Sequence, residues 1–445
     1  MLLDTYKRAP VTIVAGEGCE LIDDRGRRYL DCIGGIAVCA LGHAHPAIAQ
    51  AIAAQAQTLV HASNLYHHEP SEQLARELVT RSAMSAVFFC NSGTEANEAA
   101  IKLARKRAYR LGERDRSTIL ACTGSFHGRT FGSLAATDNP AYREGFAPLP
   151  AGFAFTPFND ARALEGAIDA HVAGFLVEPV QGESGVHSAT AEFLQTARRL
   201  CDERGALLIF DEVQCGMGRT GSLFAFEQFG VRPDVVTLAK ALANGLPIGA
   251  MLANERAAGG FAPGDHGSTF GGSPVPCAAA LAHLRVRDEL DLDARVRQRS
   301  AQLFDGLSDL ARARPEILGE PRGMGLLIGL SVQAPYEAGA IVAAARECGL
   351  LIGSAGGNSV RFAPPLIISE EEVSRAVTLL RSSFVLRQAQ DDTAQDHTAE
   401  DDTAQDDTAQ DHTAQDDTAQ DDTAQDDTAQ DDTARDDKGQ DDNSA

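Results

Sequence analysis

Three places along the chain put a reactive side chain just past a short apolar run. Lys240 stands two residues after Val235-Val236-Thr237-Leu238. An amine at a strand end inside an apolar pocket loses solvation, which lowers its pKa and leaves a nucleophile. The same lysine can instead snorkel past the strand end to water. Asp211 closes Leu207-Leu208-Ile209-Phe210. A carboxylate there faces the ligand crevice and can keep a pyridine nitrogen protonated, so that the ring draws electrons from a substrate carbanion. It can equally cap the next turn. Asn91-Ser92-Gly93-Thr94-Glu95 follows a third run and opens a helix. The glycine admits a close approach, the free N–H groups favour an anion, and Ser92 and Thr94 add hydroxyl donors. Ser92 with Glu95 also satisfies a capping box, which needs no ligand.

Two glycine-bearing segments invite comparison. Gly267-Ser268-Thr269-Phe270-Gly271-Gly272 has two hydroxyls among small residues and suits a phosphate or a plain turn. Gly216-Met217-Gly218-Arg219-Thr220-Gly221 matches a dinucleotide fingerprint, with Asp234 downstream. That fingerprint wants its acid at the end of the second strand, whereas Asp234 precedes Val235-Val236. Gly230 and Pro233 also break the segment where a crossover helix belongs, so a dinucleotide site is not expected.

The elements that would hold these residues alternate between about residues 70 and 275. Apolar runs at Ala86–Phe89, Ile119–Ala121, Phe175–Val177, Leu207–Phe210 and Val235–Leu238 are separated by helical patterns. Runs of this length suit strands covered on both faces, and the alternation predicts an α/β fold with a mostly parallel central sheet flanked by helices. The helix after Gly93 has its apolar face at Ala96, Ala99, Ala100, Leu103, Ala104 and Ala108. Upstream, Glu20–Asp31 reads as a hairpin turning at Asp24-Arg25-Gly26, and Pro46–Gln57 as a helix. After about residue 280 come charged helices, two or three strands and a closing helix whose capping box is Ser369 with Glu372. The expected division is a large domain over 61–280, a smaller α+β domain assembled from 1–60 and 281–388, and a tail over 389–445.

The net charge of −24 belongs mainly to that tail. From Asp391 onward there are 21 acidic and 2 basic residues, a balance of −19, which leaves −5 for the first 390 residues. The tail repeats Asp-Asp-Thr-Ala-Gln with variants and is almost devoid of apolar residues larger than alanine, so it is expected to be disordered. No basic footprint for nucleic acid is present. No apolar run is long enough to span a bilayer, and Met1 to Lys7 lacks the core of a signal peptide. Nine cysteines without CxxC spacing argue against a disulfide framework or a metal site. These features fit a soluble protein in the reducing cytoplasm.

Taken in order, the motifs resemble the class III (ornithine- and acetylornithine-type) aminotransferases of pyridoxal-phosphate (PLP) fold type I. The likeness runs from Tyr6-Lys7-Arg8 to Arg361-Phe362-Ala363-Pro364-Pro365-Leu366. It implies that Lys240 holds PLP as a Schiff base and that Gly93, Thr94 and Ser92 hold its phosphate. It further implies that Phe126 stacks on the ring, Asp211 pairs with the ring nitrogen, Val213 packs on the other face and Gln214 bonds the phenolic oxygen. Thr269 would reach the cofactor phosphate of a neighbouring subunit, with Ser268 beside it near the substrate, which implies a homodimer with shared sites. Arg361 resembles an α-carboxylate clamp, Glu183 its gating partner, and Arg129 a contact for the far carboxylate of the donor. Read without the resemblance, an exposed surface residue or a structural ion pair is the better account of either arginine. Ile36-Ala37-Val38-Cys39-Ala40-Leu41-Gly42-His43 and the opening Tyr6 to Val11 resemble acetylornithine-type members most. The expected reaction moves the δ-amine of N2-acetylornithine to 2-oxoglutarate. Other ω-amine donors (succinyldiaminopimelate, succinylornithine, ornithine, GABA) and an aminomutase are the alternatives.

Overall fold

The computed structural model describes residues 1–385. The tail expected to be disordered, 389–445, lies outside the described residues.

The first strands are β1 (Ile13–Glu17), β2 (Glu20–Asp23) and β3 (Arg28–Asp31). β2 and β3 form the expected antiparallel hairpin, with Gly26 at φ +79° in its turn. The chain then enters a central sheet of β4 (Ala86–Cys90), β5 (Thr118–Cys122), β6 (Phe153–Thr156) and β7 (Val172–Val177). After a short hairpin of β8 (Val180–Gln181) and β9 (His187–Ser188), three more strands join it: β10 (Leu207–Asp211), β11 (Val235–Leu238) and β12 (Gly249–Ala253). The sheet order is β4-β12-β11-β10-β7-β5-β6. Every pairing is parallel except the two made by β12, which runs against both neighbours.

All five expected runs are strands of this sheet. Every residue of β7, β10, β11 and β12 is buried, as strands covered on both faces require. The helix Gly93–Arg110 lies on one face with the predicted alanine-rich stripe inward. Its small side chains let it pack close to the sheet: a Cβ on Gly174 of β7 would stand 3.2 Å from the Ala104 Cβ. β6 and β12 were not anticipated. Neither was β1, which extends the N-terminal hairpin.

The remaining strands are β13 (Leu318–Met324), β14 (Leu327–Val332), β15 (Leu350–Leu351), β16 (Gly353–Ala355) and β17 (Ser359–Phe362). β15 pairs in parallel with β3, so a strand from after residue 280 joins the N-terminal strands in a sheet of order β1-β2-β3-β15. The others form a sheet in the order β13-β14-β17-β16. Arg361 on β17 is paired with Gly329 on one side and Gly353 on the other. Residues 370–385 are helical. Their capping box is present: Glu372 N–H donates to Ser369 Oγ at 3.1 Å and Ser369 N–H to the Glu372 carboxylate at 2.8 Å.

Candidate active site

Parallel strands bring their carboxyl ends to one edge of the sheet, and the residues just past those ends converge there. β4 leads to Ser92, β5 to Phe126, β7 to Glu178, β10 to Asp211 and β11 to Lys240. They surround a cavity of about 410 Å³. Of the residues singled out from the sequence, all but Ser268, Thr269 and Arg361 line it.

Lys240 begins a 3-10 turn, Lys240–Ala243, immediately after β11. Its φ of +42° is left-handed, a strain of about 1–2 kcal/mol for a side chain with a Cβ. Its ammonium makes no hydrogen bond or ion pair among the described residues. Burial pushes its pKa below the ordinary lysine range. The carboxylates of Glu183, Asp211 and Glu178 oppose that shift, and the Arg361 guanidinium reinforces it.

Asp211 is buried and held from three directions. Its Oδ2 accepts from Asn97 Nδ2 at 2.7 Å and lies 2.8 Å from His127 Nδ1. Its Oδ1 accepts from Val213 N–H at 3.0 Å, the turn contact expected of a capping role. Thr237 Oγ1 in turn donates to Asn97 Oδ1 at 2.7 Å. The carboxylate therefore caps a turn and also faces the cavity. The next residue, Glu212, points elsewhere: it accepts from Ala225 and Phe226 N–H at 2.7 and 2.8 Å, and burial raises its pKa to about 8.

The helix start likewise serves two purposes. Ser92 Oγ accepts from Glu95 N–H at 3.3 Å, and the Glu95 carboxylate receives Asn91 N–H at 2.8 Å. This capping leaves the N–H groups of Gly93 and Thr94 without acceptors among the described residues. A Cβ on Gly93 would lie 2.6 Å from Val213 Cγ1, so only glycine keeps that wall open.

Arg361 is buried behind the cavity wall. Its Nη1 donates to Glu183 Oε1 at 2.5 Å and to Gly182 O at 3.0 Å. Gln214 Nε2 donates to the same Glu183 oxygen at 2.9 Å. Burial raises the Glu183 pKa, but Arg361 and Lys240 outweigh it and hold the carboxyl below its ordinary range. The structure thus joins two residues 178 positions apart into one ion pair. Ser268 and Thr269 line a different cavity, of about 710 Å³, together with His266 and Asn64. There Ser268 Oγ accepts from Asn91 Nδ2 at 3.2 Å, and within one chain neither residue lines the Lys240 cavity.

The glycine-rich segment at 216–221 has a structural purpose. Arg219 is fully buried and donates to the carbonyls of Leu326 and Pro364. Asp234, at the opposite edge of the sheet from Lys240, accepts from Leu208 N–H at 2.8 Å and pairs with Arg198 at 3.0 Å, leaving no place for a ribose. Residue-by-residue reading missed Glu178, His127 and Asn97. Glu178 is buried beside the cavity and accepts Phe126 N–H at 3.0 Å. Burial, then the neighbouring Asp211, raises its pKa well above the carboxylate range. The signal was available, because Glu178 follows Phe175-Leu176-Val177 as Asp211 follows its own run.

With this geometry in place, comparison with known proteins is decisive. Residues 4–384 match the model of the family described as aminotransferase class-III. The chain belongs to the class III aminotransferases. Over 385 residues it is 49% identical to the acetylornithine aminotransferase of Thermosynechococcus vestitus, covering 85% of this chain and 93% of that one. The N-acetylornithine aminotransferase structure from Stenotrophomonas maltophilia K279a superposes with a TM-score of 0.76 at 40% identity, covering 87% of this chain and 99% of that one. An amine transaminase from an uncultivated Pseudomonas species, solved with PLP bound, gives a TM-score of 0.81 at 30% identity over 86% of this chain and 98% of that one.

Class III aminotransferases depend on PLP, and the residues present fit it. The cavity offers a half-buried amine without a partner among the described residues, a buried carboxylate, and a helix start whose first N–H groups have no acceptor among them. Among the described residues, no cluster of three or more His, Cys, Asp or Glu side chains is placed to hold a metal ion. Gly93→Ala is expected to weaken PLP affinity about 10- to 100-fold, since overpacking costs about 1–3 kcal/mol. Titrating the apoenzyme with PLP by absorbance reads this directly. An unchanged affinity would show that the helix start does not border the cofactor.

Proposed function

We propose that this aminotransferase moves the δ-amino group of N2-acetylornithine to 2-oxoglutarate, forming N-acetylglutamate 5-semialdehyde and glutamate. The observation that carries the reading is the Arg361–Glu183 ion pair, bridged by Gln214, in which Glu183 lines the Lys240 cavity and Arg361 lies behind it. A guanidinium neutralised by Glu183 tolerates an ω-amine arriving without a carboxylate beside it. Released from Glu183, the same guanidinium can clamp the α-carboxylate of a keto acid in two-point fashion. One cavity thereby takes two dissimilar substrates in turn. The names of the similar proteins support acetylornithine as the donor.

When bound, PLP supplies the electron sink for the carbanion formed at the donor carbon. Gly93 and Thr94, with Ser92, would hold its phosphate, and Thr269 of a second subunit would add a hydroxyl. Phe126 and Val213 would enclose the ring, and Asp211 would face the ring nitrogen. Gln214, already bonded to Glu183, would turn its amide to the phenolic oxygen. Lys240, its pKa depressed by burial, is the amine available both as nucleophile and as the base that takes and returns a proton at the donor carbon. Arg129 would receive the carboxylate remote from the transferred amine, with Ser268 of the second subunit nearby. Such a homodimer acts on small molecules and suits the cytoplasm. The division into 61–280 and a smaller domain of 1–60 with 281–388 accords with the sheet shared by β3 and β15, the helix Pro274–Glu289 carrying the chain across.

The test is a donor panel. Purified enzyme with PLP and 2-oxoglutarate should form glutamate fastest from N2-acetylornithine. Glutamate from ornithine or GABA but none from acetylornithine would overturn the assignment.

A further inference from the structure

Arg129 is an exposed residue lining the Lys240 cavity, and its guanidinium has no hydrogen-bond or ion-pair partner among the described residues. What it has is an aromatic seat. Its Cζ lies 3.7 Å from the centroid of the Tyr142 ring and 5.7 Å from that of Phe126. Tyr142 meets Phe126 edge to face, with centroids 6.0 Å apart and planes at 85°. Tyr142 itself does not line the cavity. It stands on the short helical turn Pro140–Arg143, which is capped by Asn139 through a 3.1 Å bond from Ala141 N–H.

A guanidinium seated on a ring keeps its in-plane N–H donors free, and those are the donors that grip a carboxylate at two points. An unseated arginine samples many rotamers, and closing it on a ligand costs side-chain entropy. The tyrosine removes part of that cost beforehand. It also ties the arginine to Phe126, so the carboxylate contact and the ring-facing phenylalanine share one support. We infer that Tyr142 is a positioning residue that pre-orders Arg129 for donors bearing a carboxylate remote from the amine they give up. This rests on the reading of Arg129 above. Tyr142, outside the cavity, would then favour such donors over amines that lack the carboxylate.

The experiment compares N2-acetylornithine with its carboxylate-free counterpart, N-acetylputrescine, which keeps the same chain and amide. Steady-state kinetics are measured for holoenzyme of wild type, Tyr142→Phe, Tyr142→Leu, Arg129→Gln and the Arg129→Gln/Tyr142→Leu double variant. Tyr142→Leu should raise KM for acetylornithine three- to fivefold (about 0.6–1 kcal/mol) with kcat within twofold. It should leave kcat/KM for N-acetylputrescine unchanged. Tyr142→Phe, which keeps the ring, should behave as wild type. In the Arg129→Gln background Tyr142→Leu should add nothing, because the seat has lost its occupant.

Three results would overturn the inference: an equal loss on both donors, effects that multiply with Arg129→Gln, or no effect of Tyr142→Leu at all. Where N-acetylputrescine is not turned over, the double-variant cycle on the carboxylated donor decides alone. Should acetylornithine prove not to be the donor, the same cycle with ornithine, which keeps the carboxylate, still judges Tyr142. Failure of the donor assignment and failure of the seat are therefore distinguishable.

Discussion

Lys240→Ala is expected to lower turnover at least about 10⁴-fold, the upper range for a positioned general base, because in the proposed reaction the same amine is also the nucleophile. Among the described residues Lys240 is the only lysine lining the cavity, so none of them offers a neighbouring amine as a substitute. Its placement is over-determined by the fold. The four residues of β11 are buried, and so are Ala241, Leu242 and Ala243 after it, which fixes the backbone on both sides of the left-handed Lys240. Alanine should therefore leave the fold intact while removing the chemistry. Two measurements check this: glutamate formation at saturating substrates, and the visible absorbance of the lysine-linked cofactor in the purified protein. A variant that kept more than about 1% of turnover together with that absorbance would place the reactive amine elsewhere. Arginine is no substitute, since a guanidinium stays charged where Lys240 must shed its proton.

What the sequence shows about this site follows the range of the forces involved. Strand ends are local: an apolar run that stops at Asp211, or two residues before Lys240, announces itself within six residues. The inward stripe of the helix Gly93–Arg110 is equally local, and it appears where 3.6-residue periodicity puts it. Strand direction is not local. Gly249-Ala250-Met251-Leu252-Ala253 is a buried strand, yet nothing in its composition says that it runs against its neighbours. Long-range pairs are hidden for the same reason. The Arg361–Glu183 bond and the His127–Asp211 contact join segments 178 and 84 positions apart. The first was expected only from resemblance to a family, and the second not at all. The twofold readings at Ser92 and Asp211 also have a physical origin. A group that caps a helix or turn fixes the backbone whose remaining donors face the ligand, so local capping and binding coexist at both places.

Asp211→Asn tests that coexistence and is expected to lower kcat/KM about 10²- to 10⁴-fold, since stripping the partner from a buried charge costs about 3–5 kcal/mol. Asparagine keeps the side chain's size and can still accept Val213 N–H through its oxygen, so the turn survives. It cannot reproduce the other contacts. Oδ2 now faces Asn97 Nδ2 at 2.7 Å and His127 Nδ1 at 2.8 Å. An amide NH₂ there would oppose the Asn97 donor, and an amide oxygen there would turn the NH₂ toward Val213 N–H. Either orientation removes the negative charge proposed to keep the ring nitrogen protonated. The measurement is kcat/KM for both half-reactions in a variant that still binds PLP. Both should fall together, because Asp211 touches neither the donor's nor the acceptor's distinguishing groups. A loss confined to one half-reaction would point to a substrate contact instead, and a change below threefold would mean that the carboxylate does no more than cap its turn.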